Sequence, residues 1–70
     1  MIESTALTAP EVRLIRMSEV IQRTGLSRST IYQLISRNLF PRPVRITDRA
    51  VAWSSQVVQT WIEEKIKGSA

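Results

Sequence analysis

The sequence predicts a mostly helical domain of three helices carrying one small two-stranded β-hairpin. Three observations carry that expectation. Gly25 divides two apolar-faced segments lying within about twenty residues, the layout of a helix-turn-helix. Pro41 and Pro43 end helical structure and force the chain into an extended form, in which Val44-Arg45-Ile46 alternates as a strand does. Beyond them, Val58, Trp61, Ile62 and Lys65 fall on one helical stripe.

Residues 1–12 mix Ser, Thr, Ala and Pro10 without an apolar period, and are expected to form a flexible arm. The segment Arg13 to Met17 reads as an extended lead-in packed on the domain. Ser18 is placed as an N-cap, with Glu19 in the first turn facing the positive end of the helix dipole. Val20 and Ile21 face inward, and Gly25 supplies the left-handed residue that closes the helix. Leu26 plugs the turn. Ser27 is the next N-cap, opening a helix over roughly residues 28–38 with Ile31, Leu34 and Ile35 inward.

Thr47-Asp48-Arg49 then forms a tight turn between Val44–Ile46 and Ala50–Trp53. Two strands alone are unstable in water, so this hairpin is expected to rest on the helices through Val44, Ile46, Val51 or Trp53. Ser54 or Ser55 caps a last helix over about 55–67, with Val57 and Ile66 widening its apolar stripe. Trp61 and Ile62 close the core, while Glu63 and Lys67 stand four apart as a helical ion pair. The domain is expected over 13–67, with a frayed end over 68–70.

The 70 residues contain ten Lys+Arg, six Asp+Glu, no His and no Cys. Missing His and Cys remove thiol chemistry, histidine general-base catalysis, disulfides, and zinc or haem held by those ligands. The remaining acids form no recognisable catalytic pair, so the expectation is a non-enzyme without cofactor or metal. No apolar run is long enough to span a membrane, and Met1 to Thr5 lack the basic start of a signal peptide, so a cytoplasmic, nucleoid-associated protein without membrane contact is expected.

The net charge of +4 is unevenly spread. Residues 1–12 sum to −2 and residues 50–70 to zero, while residues 13–49 carry eight Arg against Glu19 and Asp48, a surplus of +6. Every basic residue of that stretch is Arg, whose flat fork of donors matches phosphate oxygens and the acceptor edge of guanine. A basic surplus also serves solubility alone.

On the 28–38 helix, Ser29, Tyr32, Gln33 and Ser36 form a second stripe, extended by Arg28 at one end and Arg37 at the other. These side chains reach base edges and phosphates, where an ordinary wet face carries Glu and Lys. Tyr32 reads either as part of that face or as a half-buried ring completing the core.

Arg16-Met17-Ser18-Glu19-Val20 through Thr24-Gly25-Leu26-Ser27-Arg28-Ser29-Thr30-Ile31-Tyr32 resembles the AlpA family of small phage and prophage regulators. So do Phe40-Pro41-Arg42-Pro43-Val44, Arg49-Ala50-Val51-Ala52-Trp53, and Val57/Val58 followed by Trp61. The likeness spans about residues 13–66. It implies a winged helix-turn-helix, related to the MerR-type DNA-binding domain and to small phage excisionases. It also implies that the helix from Arg28 is the recognition helix in the major groove, and that the Arg45–Arg49 hairpin is a wing along phosphates or in the minor groove. Family members activate a prophage integrase gene or act as excisionases that bend attachment-site DNA. Two features depart from the pattern: the Thr47-Asp48 turn lacks a wing glycine, and the last helix opens with Ser54-Ser55-Gln56 rather than an acidic residue.

The leading expectation is therefore sequence-specific binding of double-stranded DNA as a regulator of an integrase or other prophage gene. In it Ser27 and the first amides of the helix hold a phosphate, Arg28, Ser29, Tyr32 and Gln33 read bases, and Arg37, Arg42, Arg45 and Arg49 contact backbone or minor groove, with Thr30 and Ser36 also among the expected DNA-binding residues. Partners would be duplex DNA, further copies on adjacent sites, and an integrase. The alternatives are an excisionase, and a protein-interaction module docking an acidic partner through the same Arg-rich face.

Overall fold

A computed structural model of the chain describes residues 12–69, so the expected arm lies almost wholly outside the described residues. The order of elements is β1 (Leu14–Ile15), α1 (Met17–Thr24), α2 (Arg28–Ser36), β2 (Val44–Thr47), β3 (Ala50–Ser54) and α3 (Ser55–Gly68). This is the winged helix-turn-helix arrangement, three helices with a small antiparallel sheet. The sheet has three strands rather than two, in the order β1-β3-β2.

The extra strand is the lead-in segment. Leu14 stands opposite Ser54 and Ile15 opposite Trp53 in an antiparallel pairing. Ser55 prolongs the ladder: its amide donates to the Arg13 carbonyl (2.8 Å) and its hydroxyl accepts from the Arg13 amide (2.9 Å). Ser54, not Ser55, caps α3, its hydroxyl accepting from the Val57 amide at 3.4 Å. Ser55 is buried where α3 meets the β1 end of the sheet.

Ser18 does not cap α1. The helix starts two residues earlier than a Ser18 cap would place it, at Met17, with Arg16 at the cap position in extended conformation and no side-chain capping bond. The cause is packing: Ile15 and Met17 are both buried, so the chain turns from strand to helix at Arg16. Glu19 does sit in the first turn. Gly25 closes α1 at φ 75°, a left-handed conformation open to glycine at little cost.

Ser27 caps α2 as expected, accepting from the Thr30 amide at 3.2 Å. The helix ends at Ser36, earlier than position 38, because Asn38 adopts φ 60°. Its amide donates to the Ile35 carbonyl (3.0 Å) and that of Leu39 to the Leu34 carbonyl (2.8 Å), the double closure of a Schellman motif. Asn tolerates this conformation through its short polar side chain.

The core is Ile15, Met17, Val20, Ile31, Ile35, Phe40, Trp53 and Val58, with Ile21, Leu26, Leu34, Trp61 and Ile62 packed around it. Among the described residues, Ala52 and Trp53 are the fully buried side chains of the hairpin. Val44 and Ile46 are 49% and 42% exposed, and Val51 is also open. Strand β2 is the outer strand of the sheet, held by its ladder to β3 and not by burial of a face. Val57 and Ile66 are likewise exposed and do not widen the α3 stripe. Glu63 accepts from Gln59 at 3.0 Å, and among the described residues its pair with Lys67 is not formed.

The α2–β2 connection is tied down on both sides. The Trp53 indole N–H donates to the Pro41 carbonyl and that of Trp61 to the Leu39 carbonyl, each at 2.9 Å. Phe40, buried between them, meets the Trp61 ring edge-on with centroids 4.7 Å apart. Lys65 covers the Trp61 ring at 5.4 Å. These straps fix where the hairpin stands relative to α2.

Candidate nucleic-acid interface

The interface is built from two helix starts and a hairpin. Arg28 opens α2, Tyr32 follows one turn later, and Arg49 sits at the hairpin turn. With Arg16, Ser18, Met17, Val51 and Trp53 they line a concavity of about 340 Å³. Tyr32 is 47% exposed, which settles the choice left open by its spacing: the ring stands at the surface beside the arginines and does not complete the core.

The hairpin turn solves its missing glycine without left-handed backbone. Among the described non-glycine residues only Asn38 has positive φ. Instead the register slips between Arg45 and Thr47, and the Thr47 hydroxyl accepts from the Arg49 amide at 3.2 Å. Arg45 faces solvent on the outer strand, opposite Val51.

The other expected contact residues are placed as follows. Ser29 and Gln33 are exposed on α2. Ser27 donates its hydroxyl to that of Thr30 (2.9 Å), so both hydroxyls are engaged in the cap, and the half-buried Thr30 presents less to solvent than Ser29. Ser36 returns its hydroxyl proton to the Gln33 carbonyl at 2.7 Å, leaving only its lone pairs for a ligand. Arg37 and Arg42 are exposed beyond the far end of α2, where Arg42 donates to the Asn38 amide oxygen at 3.1 Å. Nine residues of helical rise separate Arg28 from Arg37, about 13 Å. The structure thus gathers Arg28, Tyr32 and Arg49 at one end of α2 and leaves Arg37 and Arg42 at the other.

Sequence reasoning missed Arg16. Its signal was the extended residue between two buried ones, which turns a side chain outward. The remaining arginines of that region are already spent. Glu19 takes Arg13 Nη2 and Arg23 Nη2, each at 2.7 Å, in a partly exposed three-residue network. Hydrogen bonds from Arg13, then Arg23, hold the Glu19 carboxyl below the usual glutamate range. Six of the eight arginines, at 16, 28, 37, 42, 45 and 49, are therefore left without a carboxylate partner among the described residues.

A family model described as Prophage CP4-57 regulatory protein (AlpA) matches residues 13–66. The chain belongs to the AlpA family. An uncharacterized protein, ORF88, of Enterobacteria phage P4 is 43% identical over 56 residues, covering 80% of this chain. The alignment spans just under two thirds, 64%, of that phage protein's length. The DNA-binding transcriptional activator AlpA of Escherichia coli K12 is 29% identical over 62 residues, covering 80% of this chain and 89% of the activator. The AlpA-family match starts at Arg13, where the β1 ladder begins, and ends at Ile66 within α3. It therefore takes in every strand and both ends of the arginine-lined concavity. Among the described residues of this AlpA-family chain, no helix is long and apolar enough to cross a membrane.

Proposed function

We propose that this chain is a sequence-specific double-stranded DNA-binding regulator of phage or prophage genes, an integrase gene among its targets. The observation that carries the reading is the convergence of Arg16, Arg28, Arg49 and exposed Tyr32 around one open concavity without a lining carboxylate. In this reading α2 enters the major groove. Arg28, Ser29, Tyr32 and Gln33 face base edges, and the hairpin with Arg45 and Arg49 follows the backbone or adjacent minor groove. Ser27 and the first amides of α2 hold a phosphate, favoured by the helix dipole. Arg37 and Arg42 reach the backbone beyond the far end of α2. Binding is the whole of its chemistry. The E. coli relative, a transcriptional activator by name, supports regulation of transcription over excision.

A single small domain within a 70-residue chain presents a small surface, so further copies on adjacent sites, or bent DNA, supply the remaining affinity. Selection of bound sequences from random duplex DNA, followed by footprinting on the native locus, tests the reading. An enriched motif at a promoter is expected, and enrichment of none overturns it in favour of a protein-docking module.

Single substitutions divide the roles. Arg28→Ala is expected to lose roughly 1–3 kcal/mol on the selected site and to relax preference at one base pair, as loss of a bidentate guanine contact does. Arg49→Ala is expected to weaken all sequences alike. Competition binding against single-base variants of the site reads both, and full retention of affinity and preference by Arg28→Ala would sink its base-reading role.

A further inference from the structure

The concavity at the junction of α1, α2 and the hairpin holds more than the recognition helix requires. Three guanidinium groups line it, from Arg16 at the start of α1, Arg28 at the start of α2 and Arg49 at the hairpin turn, and no carboxylate joins them. This is not for want of acid nearby. Glu19 stands three residues beyond Arg16, yet it pairs with Arg13 and Arg23 on either side and leaves Arg16 without an ion pair among the described residues. Arg16 makes its hydrogen bonds through its backbone only, its carbonyl accepting from Glu19 and Val20. Among the described residues its side chain makes no hydrogen bond or ion pair within the fold. Three like charges directed to one opening repel one another, and an anion between them removes that cost.

Pockets for small metabolites are lined mostly by apolar groups with a few polar ones. Here three arginines, Tyr32 and Ser18 line the concavity beside Met17, Val51 and Trp53, of which Met17 and Trp53 are buried. An open cationic cup of this kind suits a group that is part of a larger polyanion. Resting on the reading of the chain as a DNA-binding protein, we propose that this concavity seats a single backbone phosphate diester of the bound duplex, at the point where the strand passes from recognition helix to hairpin, with Arg16 as its principal cation. The seat fixes the register of α2 in its groove. Arg16 then acts on every sequence equally, whereas Arg28 beside it divides its donors between the phosphate and a base.

A chemical cycle on the selected duplex tests this. Each phosphate in turn is replaced by an uncharged methylphosphonate, and the series is bound by wild type, Arg16→Ala and Arg16→Lys. Wild type is expected to lose roughly tenfold at one backbone position, and Arg16→Ala to lose about the same on unmodified DNA. Arg16→Ala should then be insensitive to the methylphosphonate at that one position, because both changes remove the same contact. Its salt dependence should be shallower by about 0.9 in log–log slope, while Arg16→Lys keeps the wild-type slope. Unchanged melting of Arg16→Ala separates this loss from a folding defect.

Wild type binding no duplex overturns the DNA-binding reading itself. Wild type binding its site, with Arg16→Ala equal in affinity and slope, overturns the phosphate seat alone. Inorganic phosphate titrated into the free protein supplies the remaining arm. Saturation of the Arg16 and Tyr32 resonances at millimolar phosphate, with no backbone position coupled to Arg16, assigns the cup to a free anion and overturns the diester.

Discussion

Trp53→Ala is expected to lose about 3–5 kcal/mol of stability, the range for truncating a fully buried large aromatic. A domain of this length has about 4–10 kcal/mol in all, so the variant stands at or near its unfolding threshold at ambient temperature. Trp53 is 1% exposed and forms the middle of the sheet, paired to Ile15 on one side and one residue from the Ala52–Val44 pair on the other. Its indole also donates to the Pro41 carbonyl, so truncation both empties the core and releases the α2–β2 connection. Trp53→Phe separates the two effects. It keeps most of the ring but orphans that carbonyl, for about 1–3 kcal/mol. Urea unfolding followed by far-ultraviolet circular dichroism measures both, since fluorescence loses one of its two reporters. A Trp53→Ala midpoint equal to wild type would show that the sheet is not what holds the hairpin to the helices.

That dependence marks where local pattern stops being informative. The faces of α2 were legible because Ile31, Leu34 and Ile35 repeat at helical spacing, and the turn before it because Gly25 and Ser27 have specific backbone and capping uses. Each of these is decided by neighbours within four residues. Strand β1 is two residues long, too short for alternation to register, and its partners lie some forty positions away in Trp53 and Ser54. The same distance hid the true role of Ser55. Asn38 replaced the prolines as the end of α2 because a left-handed Asn is one use among several for that residue.

The hairpin shows the opposite failure. Val44 and Ile46 alternate as a half-buried strand should, but an outer strand can satisfy its backbone on one side and bury neither face. For the candidate interface, the arginine surplus was legible as a sum. Its partition was not, since Glu19 selects Arg13 and Arg23 through geometry and leaves Arg16, which no spacing had singled out.

The partition fixes how steeply DNA binding should fall with salt. Two of the eight arginines between positions 13 and 49 are already paired with Glu19, and six remain. If Arg28 spends its donors on a base, five cations are left for phosphates: Arg16, Arg37, Arg42, Arg45 and Arg49. Each neutralised phosphate contributes about −0.9 to the slope of log affinity against log salt, giving about −4.5 for one domain on its site. Between 50 and 200 mM monovalent salt the affinity should then drop about 500-fold. Fluorescence anisotropy on a labelled duplex across that range measures it directly. Arg28 sharing a phosphate as well would bring the slope only to about −5.4, so a slope steeper than about −6 would mean that Arg13 or Arg23 leaves Glu19 on binding. A slope shallower than about −2 would mean that the arginines at the two ends of α2 do not contact one duplex together, and the groove-and-wing geometry would fall with it. Only the intermediate value is compatible with α2 lying along the groove, its far end on the backbone and the hairpin closing over the strand beside Arg16.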